Sequence, residues 1–276
     1  MEMETVHIIV LLITGLGVGF ASGLLGVGGC FIMVPIQFWV LKAIGVDPTL
    51  AIRIAFGTNL LVVLPTALSG ALTHHFKGAV LWKQGVILGV IAAFGAFLGG
   101  YFAAHISGAI LTKLFGAAII LGAIRMLTAK PPKVDENPSE STLAYVFWGI
   151  ILGIVSGLIG IGGGVLMIPV MVVFLKFKMH QAVGTSTALM MFAAVGGVAA
   201  YILNGLGIAG LPPYSTGYVN WLQWILLAGC SIPMAFVGAR AAHLLPAKQL
   251  RYLFVIVMFY MGLKMCGVFA WLGLPL

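Results

Sequence analysis

Two stretches of the chain read alike and hold the residues best placed to do chemistry: SGLLGVGGCFIMVP at 22–35 and SGLIGIGGGVLMIP at 156–169. The first places Gly26, Gly28, Gly29 and Cys30 inside an apolar segment, and the second places Gly160, Gly162, Gly163 and Gly164 there. In hydrocarbon every backbone N–H and C=O needs a partner, so non-helical chain at membrane depth survives only where it is buried in protein or lines a cavity. A glycine break therefore marks a place where the backbone itself is used. After each break a short helix is expected to begin, near Phe31 and near Val165, with Pro35 and Pro169 in its first turn. The free N–H groups of such helix starts carry the positive end of the helix dipole, which holds anions. Packing of small residues is the competing explanation of glycine runs. It suffices for GLGVG at 15–19, but it does not explain a proline at one offset in both copies.

Polar side chains recur at matched places beside these breaks. Thr58 and Asn59 stand in GTN, and Thr185, Ser186 and Thr187 stand in GTST, near the starts of otherwise apolar helices. They could serve as interhelical hydrogen bonds, or as donors around an oxyanion, in which case Thr185→Val should weaken anion affinity. Arg53 and His180 each lie four residues before the Gly-Thr pair. A cation and a titratable imidazole at matched places could attract an anion, or could face lipid headgroups.

The elements that must position these groups follow from composition. Of the 276 residues 62% are hydrophobic and 7% charged, against about 25% charged in ordinary soluble proteins. A bilayer needs about 20 apolar residues per helical span. The chain is therefore expected to be an all-α, polytopic membrane protein. Residues 19–35 pair with 153–169, GTNLL at 57 with GTSTAL at 184, and GAVLWKQ at 78 with GYVNWLQ at 217. Two homologous repeats are implied, 1–128 and 143–276, joined by a polar linker at 129–142 that contains AKPPKVDENPSES. Each repeat should hold a Gly-broken segment and then three helices, at about 53–74, 80–104 and 109–128, and at about 181–203, 218–241 and 248–271. If each broken segment enters and returns, the halves are inverted, and most Lys and Arg fall on the inner side with Lys42, Arg53, Lys113 and Lys264 outside. A single crossing would make the halves parallel.

All six acids, Glu2, Glu4, Asp47, Asp135, Glu136 and Glu140, fall at the terminus or in loops. This weighs against a cation carrier built on membrane carboxylates. Cys30, Cys230 and Cys266 are scattered singly and read as buried thiols. No metal site and no cofactor are expected. Gly-x-Gly lacks the preceding strand of a nucleotide fold, and no P-loop implies ATP. Ser22 and Ser156 raise an intramembrane hydrolase as an alternative, but the serine is duplicated without one matched histidine. A channel, or a permease for another ligand including a metal cation, is the remaining alternative. The net charge of +8 suits an anionic membrane surface, and no nucleic-acid partner is expected.

The paired SGLLGVGGCFIMVP and SGLIGIGGGVLMIP motifs, each followed by a Gly-Thr-Ser/Asn helix, resemble the sulfite exporter TauE/SafE family, also called the toluene sulfonate uptake permease family. The resemblance implies a multi-pass permease of the bacterial inner membrane. It implies sulfite, sulfonates or related sulfur anions as substrates and an ion gradient, of protons or sodium, as the drive. The glycine motifs at 26–30 and 160–164, and positions 58, 59 and 185–187, become its substrate-site candidates. Cys30 stands where the second copy has Gly164, a departure from strict two-fold use of the backbone. The oligomeric state stays open, a homodimer included.

Overall fold

A computed structural model describes residues 4–25, 29–128, 141–162, 164–241 and 247–271. The helices are α1 (Thr5–Leu25), α2 (Cys30–Ala43), α3 (Pro48–Phe76), α4 (Trp82–His105), α5 (Gly108–Thr128), α6 (Thr142–Ile159), α7 (Gly164–Val173), α8 (Met179–Gly205), α9 (Trp221–Ala241), α10 (Ala247–Met265) and α11 (Val268–Trp271). A two-stranded antiparallel hairpin, β1 (Ser215–Thr216) and β2 (Val219–Asn220), precedes α9. Among the described residues seven helices are long and apolar enough to cross a membrane, while α2 is shorter. The protein is an all-α, multi-pass membrane protein, as its composition requires.

Local chemistry sets the helix ends. Asp47 caps α3 by accepting from the N–H of Thr49 at 2.8 Å and of Leu50 at 3.2 Å, and Pro48 starts the helix. This D-P signal moves the start of α3 five residues ahead of the expected one. The Ser141 hydroxyl caps α6 by accepting from the N–H of Ala144. The helix expected from 218 instead begins at Trp221, because the hairpin takes residues up to Asn220. The helix expected over 248–271 is divided at Gly267, whose φ of 79° is left-handed. Pro35 and Pro169 lie inside α2 and α7, in the second turn and not the first, because these helices begin at Cys30 and Gly164. There each proline withholds an N–H from the carbonyl four residues earlier.

The most extensive helix packings join the first half of the chain to the second: α4 lies on α6 and α8, α1 on α9, α3 on α8, and α5 on α10. Small residues allow this closeness. A methyl group on Gly15 would reach the Leu227 carbonyl, and one on Gly19 the Ser231 backbone, so GLGVG seats α1 against α9. The core between the layers gathers Phe56, Phe115, Tyr201 and Tyr218, with Phe56 and Phe115 ring centroids 5.5 Å apart. Outward positions are apolar as well, including Phe94, Phe147, Val195 and Ile256. A surface of this kind suits lipid and not water.

Candidate functional site

The second glycine break is described from Gly160 to Gly162 and again from Gly164. Gly160 ends α6 with φ 62°, and Gly162 follows with φ 70°. Left-handed backbone of this kind is strained for any residue with a Cβ. The break lies against one face of α3: a Cβ on Gly160 would meet Phe56, and one on Gly162 would meet Val63. Between them Asn59, wholly buried, donates from Nδ2 to the Gly160 carbonyl at 2.6 Å. One turn back on α6, the Gly157 carbonyl accepts from the Tyr201 hydroxyl of α8 at 2.9 Å. An amide of the first half of the chain thus holds the broken backbone of the second. Asn59→Leu removes the donor from a buried carbonyl, and about 1–3 kcal/mol of stability should go with it. A fall in the melting temperature of the purified protein in detergent checks this.

The Gly-Thr pairs make reciprocal contacts. The Thr58 hydroxyl accepts from the Asn220 N–H at 2.9 Å, and the Thr185 hydroxyl accepts from the Leu81 N–H at 3.1 Å. Leu81 and Asn220 are matched positions of the repeat, each immediately ahead of a helix, α4 and α9. A Cβ on Gly57 would meet the Tyr218 backbone, and one on Gly184 the Ala79 backbone, again matched residues. Each Gly therefore admits the other half's entry loop, and each Thr satisfies the N–H that follows. Asn220 extends the arrangement, its Oδ1 accepting from the Gln223 N–H at 2.9 Å to cap α9.

The other expected site residues divide into groups. Ser186 donates to the Val183 carbonyl and Thr187 to the Gly184 carbonyl, so both hydroxyls bond to their own helix turn. Arg53 lies on α3 six residues ahead of Asn59, about 9 Å of helix. Its guanidinium donates to the Tyr218 hydroxyl at 3.2 Å and to the Ile106 carbonyl at 2.9 Å, and stacks on the Tyr218 ring. It joins the hairpin loop to the α4–α5 turn, apart from the described break. Gly29 stands at the N-terminal end of α2, packed on Val18, and no side chain caps it. Cys30 and Phe31 follow it, both buried. Gly164 begins α7 and is buried. Gly26, Gly28 and Gly163 lie outside the described residues, as do the side chains of Val165 and His180.

Three groups escaped the sequence reading. Tyr218 is one, set by the hairpin and held by Arg53. Gln37 on α2 and Gln223 on α9 are the others, wholly buried, with no hydrogen-bond partner for either amide. Their signal was a lone amide in an apolar helix, in PIQFW and WLQWI. Among the described residues no three His, Cys, Asp or Glu side chains come together.

Apolar spans, closely packed halves and a helix break fastened by a buried amide make up a polytopic membrane protein. The chain belongs to the sulfite exporter TauE/SafE family, whose model matches residues 11–265. It is 27% identical over 258 residues to a probable membrane transporter protein of Haemophilus influenzae, covering 94% of this chain and 97% of that one. It is 29% identical over 259 residues to a probable membrane transporter protein of Methanocaldococcus jannaschii, covering 92% of this chain and 94% of that one. A third relative, the probable membrane transporter protein YunE of Bacillus subtilis, is 25% identical over 268 residues, 91% of this chain and 92% of its own. No solved structure matches the chain.

Proposed function

We propose that this protein is a secondary carrier of a small sulfur-containing anion, such as sulfite or an organosulfonate. The two repeats are inverted relative to each other and rock about the glycine breaks, giving alternating access without ATP. The carrying observation is the second break: left-handed Gly160 and Gly162 end one helix, α7 starts at Gly164, and Asn59 of the opposite repeat fastens the turn. Helix starts at such breaks favour anions, and the interlocked Gly-Thr contacts supply surfaces on which the repeats can move against each other. Among the described residues no carboxylate lies within a membrane-spanning helix, which also favours an anion over a cation as cargo. The family supports the sulfur chemistry, and its relatives' names support transport and not catalysis.

Flux into proteoliposomes tests the proposal, with sulfite, small sulfonates, sulfate, carboxylates and divalent cations offered under proton or sodium gradients. Saturable movement of sulfur oxyanions, accelerated by one of the gradients, is the expected result. Movement of cations alone would overturn it, and carbonyls at the breaks would then be the ligands. Flux that never saturates would identify a channel.

A further inference from the structure

The side chains of Gln37 and Gln223 have no part in the contacts described above, yet both are 0% exposed and all four of their amide atoms lack a partner. Gln37 lies one turn from Met33 on α2, and Gln223 one turn from Leu227 on α9. Met33, Val40, Leu227, Leu11 of α1 and Val62 of α3 form one buried cluster, so both glutamines project from helices that meet there. Val62 stands one turn beyond Thr58, which accepts from the N–H of Asn220 at the start of α9. The place is therefore fixed by the contact that joins the repeats. A buried amide without partners costs free energy, and two of them, each one turn from a member of the same apolar cluster, call for a ligand.

We infer that Gln37 and Gln223 are the polar ligands of an anion site enclosed by α1, α2, α3 and α9, and that this site takes a singly charged sulfur oxyanion in preference to a doubly charged one. Each carboxamide offers two N–H donors, suited to the oxygens of a sulfonate group. Neither brings a positive charge, and among the described residues α1, α2, α3 and α9 place no Lys or Arg on the buried faces that form this cluster. One negative charge can be spread over several neutral donors. A second would stay uncompensated in a low-dielectric interior. Leu11, Met33 and Val62 supply an apolar wall for the carbon side of an organosulfonate. In the repeat Met171 occupies the place of Gln37, so the site is expected once per chain and not twice.

The inference rests on the carrier reading above, and the test separates the two. Purified full-length protein in detergent is titrated with sodium methanesulfonate and, at matched ionic strength, with sodium sulfate, reading binding by calorimetry and the melting temperature. Methanesulfonate should bind saturably and sulfate at least tenfold more weakly. Gln37→Leu and Gln223→Leu should each weaken methanesulfonate binding at least tenfold, while the unliganded variants melt no lower than the parent. Lower melting with unchanged affinity would mean that the amides only pack, and the site is overturned. Equal binding of sulfate would overturn the charge preference. Sulfonate flux in proteoliposomes that survives both substitutions would refute the site and leave the carrier reading standing.

Discussion

Gly160→Ala should cost about 2–5 kcal/mol, the sum of a left-handed backbone at about 1–2 kcal/mol and overpacking at about 1–3 kcal/mol. The reason is specific to the position. A Cβ there would lie 2.5 Å from the Phe56 Cβ and 2.7 Å from its Cα, atoms of a fully buried residue on a long helix that cannot retreat. Gly45 provides the comparison, with a φ of 88° and nothing within 4 Å of an added Cβ. Gly45→Ala should therefore cost only the backbone share. Melting temperatures of the two variants, purified side by side in one detergent, check the difference. An equal fall would mean that α3 does not clamp the break. Flux should fall with Gly160→Ala as well, since the turn that separates α6 from α7 would no longer close on Asn59.

The second large effect is expected from Thr58→Val combined with Thr185→Val. Each valine keeps the shape of threonine and removes the hydroxyl that accepts from Asn220 or Leu81. A backbone N–H left unsatisfied in the interior costs about 1–3 kcal/mol. The two contacts share no partner, so their costs should add, to about 2–6 kcal/mol. Thermal melting of the single and double variants measures this, with Thr→Ser at both positions expected to restore most of the loss. If the hydroxyls served only a substrate, the valine variants would keep their stability and lose anion affinity alone.

That contrast shows how far the residues could be read before the fold was known. Thr58 and Thr185 stood out because they recur in the repeat, and the choice between interhelical bonds and an oxyanion cage was left open. The tertiary structure gives both a backbone N–H of the other half, because α4 and α9 begin beside the opposite Gly-Thr pair. Asn59 was singled out too, but its partner, Gly160, is 101 residues away and no local pattern names it. Arg53, by its place in the sequence, suits either an anion contact or a headgroup-facing helix end. In the structure its guanidinium donates to the Tyr218 hydroxyl and the Ile106 carbonyl, and the first contact depends on a hairpin whose strands are two residues each. So short a hairpin leaves no periodicity to detect. The division of the last helix at Gly267 was missed for a similar reason, since apolar periodicity runs through a single left-handed glycine.

The sequence by itself determined that this protein lives in a membrane, that glycine-rich stretches at 26–30 and 160–164 divide its apolar segments, and that it belongs to the TauE/SafE family. Hydropathy and glycine content act over a few turns of chain, so they are legible without a fold. Only the tertiary structure decided that the two halves interlock, with Gly57 and Thr58 serving the second half and Gly184 and Thr185 the first. It alone buried Gln37 and Gln223 without partners. Whether a polar group is satisfied depends on which distant backbone arrives beside it, and that is settled when helices pack.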